Sequence, residues 1–383
     1  EFQRDGIDFV HGNKLFKSIT NKNHNSDLPI LAITQDQGAV PRDQIEYNVT
    51  VTDKSLSNYK VVEVGDFIIS LRSFQGGIEY SRFKGICSPA YIILRKREEN
   101  ISELYYKYFF KTWRYIQSLN RNLEGIRDGK MISYSQFSSV KVPYPRSFKE
   151  QQKIADCLSS IDELIDAENR KLKALEKYKK GLMQKLFPAE GKTLPEWRFP
   201  EFQGCGEWKF KSIGKACKMF SGGTPDTSKK EFYGGTIPFI RSAEINKSST
   251  ELFITEEGFK NSSAKMVKKG DILIALYGAN SGEVALSKID GAINQAILCL
   301  RHETNNVFVY HYFTHMKNWN LSGQIIKSVN LYFPKAEEQQ KIADFLSEID
   351  TMITGQSNKV EQLKAHKKGL MQGLFPSFEE VDV

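Results

Sequence analysis

The sequence predicts an α+β protein in which two mixed α/β domains alternate with two long α-helices, the second half being an altered copy of the first. Three observations predict it. A 39-residue block recurs 188 residues downstream without a gap, and each copy carries apolar residues at alternating steps of four and three. Ahead of each copy lie short apolar runs entered through glycine, as strands are.

The elements follow in order. In the first domain Pro29–Ile33, Val64-Gly-Asp-Phe-Ile-Ile-Ser70 and Gly85-Ile-Cys-Ser-Pro-Ala-Tyr-Ile-Ile-Leu-Arg95 read as strands, and Leu104 to Leu119 as an aromatic helical stretch. Glu150-Gln-Gln-Lys-Ile-Ala-Asp156 then opens the first rod, whose seam is Ile154, Leu158, Ile161, Ile165, Leu172 and Leu175. At 1.5 Å per residue it is roughly 50 Å long, ending at a Phe-Pro that cannot continue a helix. The second domain repeats the pattern in Lys269-Gly-Asp-Ile-Leu-Ile-Ala275, Gly291-Ala-Ile-Asn-Gln-Ala-Ile-Leu-Cys-Leu-Arg301 and the aromatic stretch Val307 to Trp319. Glu338-Gln-Gln-Lys-Ile-Ala-Asp344 opens the second rod, with seam Ile342, Leu346, Ile349, Ile353, Val360 and Leu363. Polar breaks match as well, Glu168 and Lys179 in one copy and Gln356 and Lys367 in the other, which predicts a fixed register between the helices. From Arg95 to Glu150 is 55 residues and from Arg301 to Glu338 only 37, so the second domain is shorter near Gly323, where the first has Gly125–Lys130.

Composition bounds the function. With 54 Lys+Arg against 46 Asp+Glu the formal charge is +8, a basic globular chain of two or three domains. No apolar run approaches the roughly 18 residues that cross a bilayer, so a cytoplasmic protein with no membrane is expected. Five cysteines without a C-x-x-C pair are expected to be reduced. Catalytic motifs are missing: there is no Pro-Pro for an Asp/Asn-Pro-Pro-Tyr/Phe methyltransferase tetrapeptide, no acidic nuclease motif follows Pro225-Asp226, and Gly191-Lys-Thr193 lacks the first glycine of a phosphate loop. His311 and His315 share a helical face but lack the Glu of H-E-x-x-H, and no metal is expected.

The paired E-Q-Q-K-I-A-D and K-G-L-M-Q-x-L-F-P motifs (150–188 and 338–376), with Ser221-Gly-Gly-Thr-Pro225 and Gly270-Asp-Ile-Leu-Ile274, resemble the specificity subunits of type I restriction-modification systems, over essentially the entire chain. The resemblance implies target recognition domains at 1–149 and 207–337, conserved spacer helices at 150–188 and 338–376, a linker at 189–206 and a tail at 377–383. It implies helices that pair as an antiparallel, coiled-coil-like spacer with an internal pseudo-twofold repeat. It also implies a non-catalytic subunit whose domains each read half of an asymmetric, split double-stranded DNA target. Its partners would be two methyltransferase subunits, which carry S-adenosylmethionine and modify adenine N6, and restriction subunits; the chain itself would hold no cofactor. Two other readings stay open, a coiled-coil scaffold with protein-binding ends and a self-contained DNA-modifying enzyme.

Base reading needs directional donors and acceptors on loops held by a rigid scaffold. In the first domain Ser70-Leu-Arg-Ser-Phe-Gln-Gly-Gly77 supplies Arg72, Ser73, Phe74, Gln75 and Gly76, with Tyr80 and Arg82 following. The corresponding loop of the second domain supplies Tyr277, Asn280 and Ser281. A glycine loop near each domain's start, His11–Lys14 with Lys14 and Ser221, Gly222, Gly223 and Thr224, suits phosphate contact. Arg241, after Ile237–Ile240, is expected to parallel Gln35, after Pro29–Ile33.

Overall fold

The computed structural model describes residues 6–25, 27–45, 56–121, 132–278, 280–316 and 323–376. The chain divides into two units, residues 1–168 with 359–383 and residues 169–358. Each unit therefore takes one domain, the start of one long helix and the end of the other.

The strands of the first unit are β1 (Ile7–His11), β2 (Phe16–Ile19), β3 (Leu31–Thr34), β4 (Gly38–Pro41), β5 (Lys60–Val62), β6 (Phe67–Ile69), β7 (Glu79–Tyr80), β8 (Gly85–Cys87), β9 (Ile92–Lys96) and β10 (Lys141–Pro145). β1 pairs with β10, a four-stranded sheet runs β2-β9-β6-β7, and β3-β4 and β5-β8 are antiparallel pairs. The second unit has β11 (Lys209–Ser212), β12 (Cys217–Ser221), β13 (Tyr233–Ile240), β14 (Phe253–Ile254), β15 (Lys265–Val267), β16 (Ile272–Ala275), β17 (Val284–Leu286), β18 (Gly291–Ile293), β19 (Ile297–His302) and β20 (Asn330–Phe333). Its sheets are β11-β20, β12-β19-β16-β17 and β14-β13-β18-β15. Among the described residues each strand thus has its counterpart ten strands later, and the faint sequence repeat extends to every described strand.

The helices are α1 (Gly12–Leu15), α2 (Ser73–Gly76), α3 (Glu103–Phe109), α4 (Trp113–Arg121), α5 (Tyr134–Ser139), α6 (Phe148–Leu186), α7 (Ile213–Ala216), α8 (Glu256–Lys260), α9 (Asn306–His315), α10 (Gly323–Ser328) and α11 (Ala336–Leu374). The aromatic stretch expected over Leu104–Leu119 is two helices. Thr112 divides them, its hydroxyl donating to Phe109 O at 2.8 Å and accepting from Tyr115 N–H at 3.4 Å. The first long helix begins at Phe148, ahead of the repeated motif, because Ser147 Oγ accepts from Glu150 N–H at 3.4 Å as an N-cap does. Gly125–Lys130 and the tail 377–383 lie outside the described residues.

The repeated motifs hold each long helix to its neighbours. The Gly-Asp entry turns sharply, with φ +93° at Gly65 and +89° at Gly270, and leads to a buried aspartate. Asp66 takes a two-pronged bond from Arg95 at 2.7 Å, and Asp271 the same bond from Arg301. Gln151, fully buried, accepts from Ser102 N–H and donates to Pro145 O, both at 2.9 Å. Its counterpart Gln339 accepts from Thr304 Oγ1 and donates to Pro334 O at the same distances. At the other end of the block Phe375 packs on Tyr105 and Phe109 in the first unit, and Phe187 on Phe308 and Tyr312 in the second.

Within each unit the two helix segments run antiparallel. In the first, Asp162 meets Lys367 while Glu168, further along α6, meets Lys359, earlier in α11. The seam faces inward: Ile154, Leu158, Ile165, Ile342, Leu346, Ile349 and Val360 are buried, and Ile161, Leu172, Leu175, Ile353 and Leu363 half-buried. The polar breaks are also partnered. Lys179 binds Asp350 in the second unit as Lys367 binds Asp162 in the first, the same contact made twice. The stretch 189–206 is packed rather than loose, with Arg198 forked onto buried Glu338 at 2.7 Å and Phe199 edge-on to Phe345.

Candidate nucleic-acid interface

In the first unit the chain leaves β6 through Ser70–Arg72, makes the single turn α2 and returns at Gly77, whose φ is +81°. A Cβ at Gly77 would lie 2.2 Å from Phe110 O, so the loop seats directly on the end of α3 and only glycine fits. Arg72 and Gln75 are exposed at its crest. Gln35, in the β3–β4 turn, lies against Gly76, and its side chain reaches Arg72 O at 3.5 Å. Gln35 and Arg72 line a hollow of about 750 Å³ with Arg42, Tyr59, Ser88 and Tyr91. Tyr80 and Arg82 line a neighbouring hollow of about 700 Å³ with Gln35, Lys107 and Lys111. Arginine, glutamine and tyrosine around one groove are side chains that bond base edges and phosphates or stack on sugars and bases.

Three residues of this loop are placed differently. Ser73 is buried, its hydroxyl 2.8 Å from Ser70 N–H, so it fixes the turn and offers nothing to the groove. Phe74 packs against the aromatic core while Asn120 holds its carbonyl at 2.8 Å. Gly76 serves as the floor for Gln35.

Buried charge sits beneath the hollows. Glu79 has its carboxyl pushed up to about 7 by burial, against the pull of Lys111. Burial likewise brings Lys107 down to about 8, with Arg82 adding to it. Asp162 accepts from Tyr108 Oη at 2.8 Å and faces Lys107 and Lys367.

In the second unit the segments of Arg241, of Tyr277 and Gly278, and of Ser221–Thr224 are brought near one another around the Asn294–Ala296 turn. A Cβ on Gly278 would lie 3.8 Å from Ser242 Oγ, Leu276 N–H donates to Ala296 O, and Gly222 N–H donates to Asn294 O. A Cβ on Gly222 would collide with Ile293 O at 1.7 Å, and buried Gly223 abuts Ser263, so these glycines serve close packing. Ser221 is half-buried, whereas Thr224 is exposed and donates to Gln295 at 2.9 Å. Tyr277 is 64% exposed. Asn280 donates to Glu283, and Ser281 to Leu276 O. Arg241 is forked onto buried Glu244 and reaches Glu251; its hydrogen bonds hold the Glu244 carboxyl down at about 2.

Two expected equivalences are corrected by strand register. α1 precedes β2 as α7 precedes β12, so Lys14 matches Lys215, whereas Ser221 ends the following strand and Gly222–Thr224 lies beyond it. Lys14 is exposed on α1 and lines neither hollow. Ile30 bridges Ile86 in parallel just as Phe239 pairs with Ala292, so Ala32, not Gln35, holds the position equivalent to Arg241. Glycines and apolar runs in sequence do not carry the pairing partners that fix both positions. Arg42, Ser88, Tyr91 and Gln295 were missed; the Gly85/Gly291 repeat could have pointed to Ser88 and Gln295, which lie just past those glycines.

A profile of the type I restriction modification DNA specificity domain matches residues 5–177 and 206–365. The chain belongs to this family. It is a type I specificity subunit with two recognition domains, a non-catalytic component of such systems. The putative MjaX specificity subunit of Methanocaldococcus jannaschii is 26% identical over 304 residues, covering 74% of this chain and 70% of the relative. The MjaVIII specificity subunit of the same organism is 23% identical over 356 residues, covering 85% and 81%. The type I restriction-modification system S subunit from M. genitalium shares the fold with a TM-score of 0.60 at 16% identity, covering 98% of this chain and 97% of that one. No described helix of this specificity subunit is long and apolar enough to cross a membrane.

Proposed function

We propose that each recognition domain reads one half of an asymmetric, split duplex DNA target, and that the two long helices set the spacing between the halves. The observation that carries this reading is the strand-for-strand correspondence of two units whose exposed loops differ. The first offers Gln35, Arg72 and Arg82, the second Tyr277, Thr224 and Gln295, so one scaffold presents two different readers.

The duplicated helices suit two copies of one partner related by the pseudo-twofold axis. In this reading those partners are methyltransferase subunits that bring S-adenosylmethionine and modify adenine N6 in each half, with restriction subunits joining through them in the cytoplasm. The specificity subunit supplies no cofactor of its own.

Selection from random duplex pools in the presence of the methyltransferase subunits tests it: a split motif with an unread spacer is expected. An unenriched pool would favour a protein-binding scaffold. Transfer of labelled methyl groups by the purified chain alone would make it an enzyme instead.

A further inference from the structure

We infer that Lys111 is a positioning residue for base reading by the first recognition domain: its ammonium ties the Gln35 turn and the Arg72 loop into one rigid reader. The inference rests on the reading that this domain contacts DNA. Lys111 follows α3, and its Nζ donates to Gln35 O at 3.0 Å, Gly76 O at 2.9 Å and Glu79 Oε1 at 2.5 Å. The first two acceptors lie on separate segments, each carrying one of the polar readers that share the groove. A lysine can spend all three of its donors in this way, and a reader held by backbone carbonyls is fixed without losing its own side chain. Glu79 is 1% exposed and anchors the ammonium from below.

The second unit is a built-in comparison. Glu79 pairs across its sheet with Ile68, and Ala285 with Leu273 at the matching position. Lys111 stands nine residues past the cap Ser102, and Thr314 nine past the cap Asn305. Both members of the ion pair are therefore replaced together, by Ala285 and by Thr314, whose hydroxyl donates within its own helix to His311 O at 2.9 Å. The fold does not need the pair, since the second domain is built without it, and the loop that the pair holds in the first domain, with its turn α2, is among the elements that differ between the two.

The test uses the full chain with its methyltransferase subunits on duplex pools in which one half-site at a time is randomised. The double variant Glu79→Ala/Lys111→Thr installs the second unit's solution and leaves no lone buried charge. It is expected to lose base discrimination in one half-site by about tenfold or more, the worth of one well-made base contact, while the other half-site is read as before. Unchanged discrimination in both halves by the folded double variant, or equal loss in both, overturns the inference. If the double variant does not fold, Lys111→Arg decides. Arginine keeps a cation beside Glu79 but spreads its donors in a plane, so the same one-sided loss is expected, and wild-type reading by a folded Lys111→Arg chain overturns the clamp. A wild-type complex without base preference in either half would instead overturn the parent reading, a result separate from any behaviour of the variants.

Discussion

His311 shows what one residue does in two copies of one fold. It is 1% exposed, neither ring nitrogen has a hydrogen-bond partner among the described residues, and an Asp350 oxygen lies 3.9 Å from Nδ1. Burial, with Lys179 adding repulsion, takes its pKa from 6.5 down to about 3. Counting from the caps Ser102 and Asn305, the first unit has Tyr108 at this position, bonded to Asp162 at 2.8 Å. Below pH 6.5 the unfolded chain takes up a proton that the folded chain refuses, so His311 lowers stability as pH falls, over the window from 6.5 toward 3. The slope is at most about 1.4 kcal/mol per pH unit. His311→Tyr is expected to remove this acid sensitivity, because tyrosine is neutral throughout the window and can bond Asp350 as Tyr108 bonds Asp162. Denaturant titrations at pH 7, 6 and 5 would check it; equal slopes for both chains would show that other groups set the acid limit. At the groove, Arg72→Ala is expected to leave thermal stability unchanged, since the side chain is exposed. It should weaken discrimination in one half-site by about 1–3 kcal/mol, measured by competition binding with the complex.

At the scale of elements the long helices were legible because a heptad seam and a duplicated block are written in consecutive residues. Even the polar breaks at Lys179 and Lys367 carried the register that the Asp350 and Asp162 contacts realise. Strand pairing was less legible. Whether Gln35 or Ala32 holds the position equivalent to Arg241 depends on a parallel bridge between Ile30 and Ile86, residues far apart in sequence. The glycine loops misled for the same reason, since a glycine admitted by close backbone approach, such as Gly222 against Ile293 O, reads like one that frees a loop for a ligand. The Lys367–Asp162 contact is half-buried, where removing one partner costs more than the pair contributes. Asp162→Ala is expected to destabilise the first unit by about 1–3 kcal/mol, and the exchange Asp162→Lys/Lys367→Asp to recover part of that. A double-mutant cycle on unfolding free energies gives the coupling, and a value near zero would mean that the apolar seam alone fixes the register.

For the whole molecule the charge of +8 acquires a more specific meaning once the cations are located. Several basic groups near the proposed reading surfaces already have anionic partners within the chain: Lys107 faces Asp162, Lys111 is bound to Glu79, and Arg241 is held by Glu244 and Glu251. A group committed to a carboxylate releases few counterions on meeting a phosphate, because its charge is already compensated. Each phosphate neutralised steepens the fall of log affinity against log salt by about 0.9 on duplex DNA. The isolated chain is therefore expected to bind duplex DNA weakly, with a slope shallower than about −4, and the slope should steepen by several when methyltransferase subunits are added, their surfaces supplying the missing phosphate contacts. Fluorescence anisotropy from 50 to 300 mM salt, with and without the partners, measures both slopes at conditions of about physiological ionic strength. Tight, steeply salt-dependent binding by the chain alone would mean that its cations exchange their internal carboxylates for phosphate, and that the specificity subunit grips the backbone as well as reading the bases.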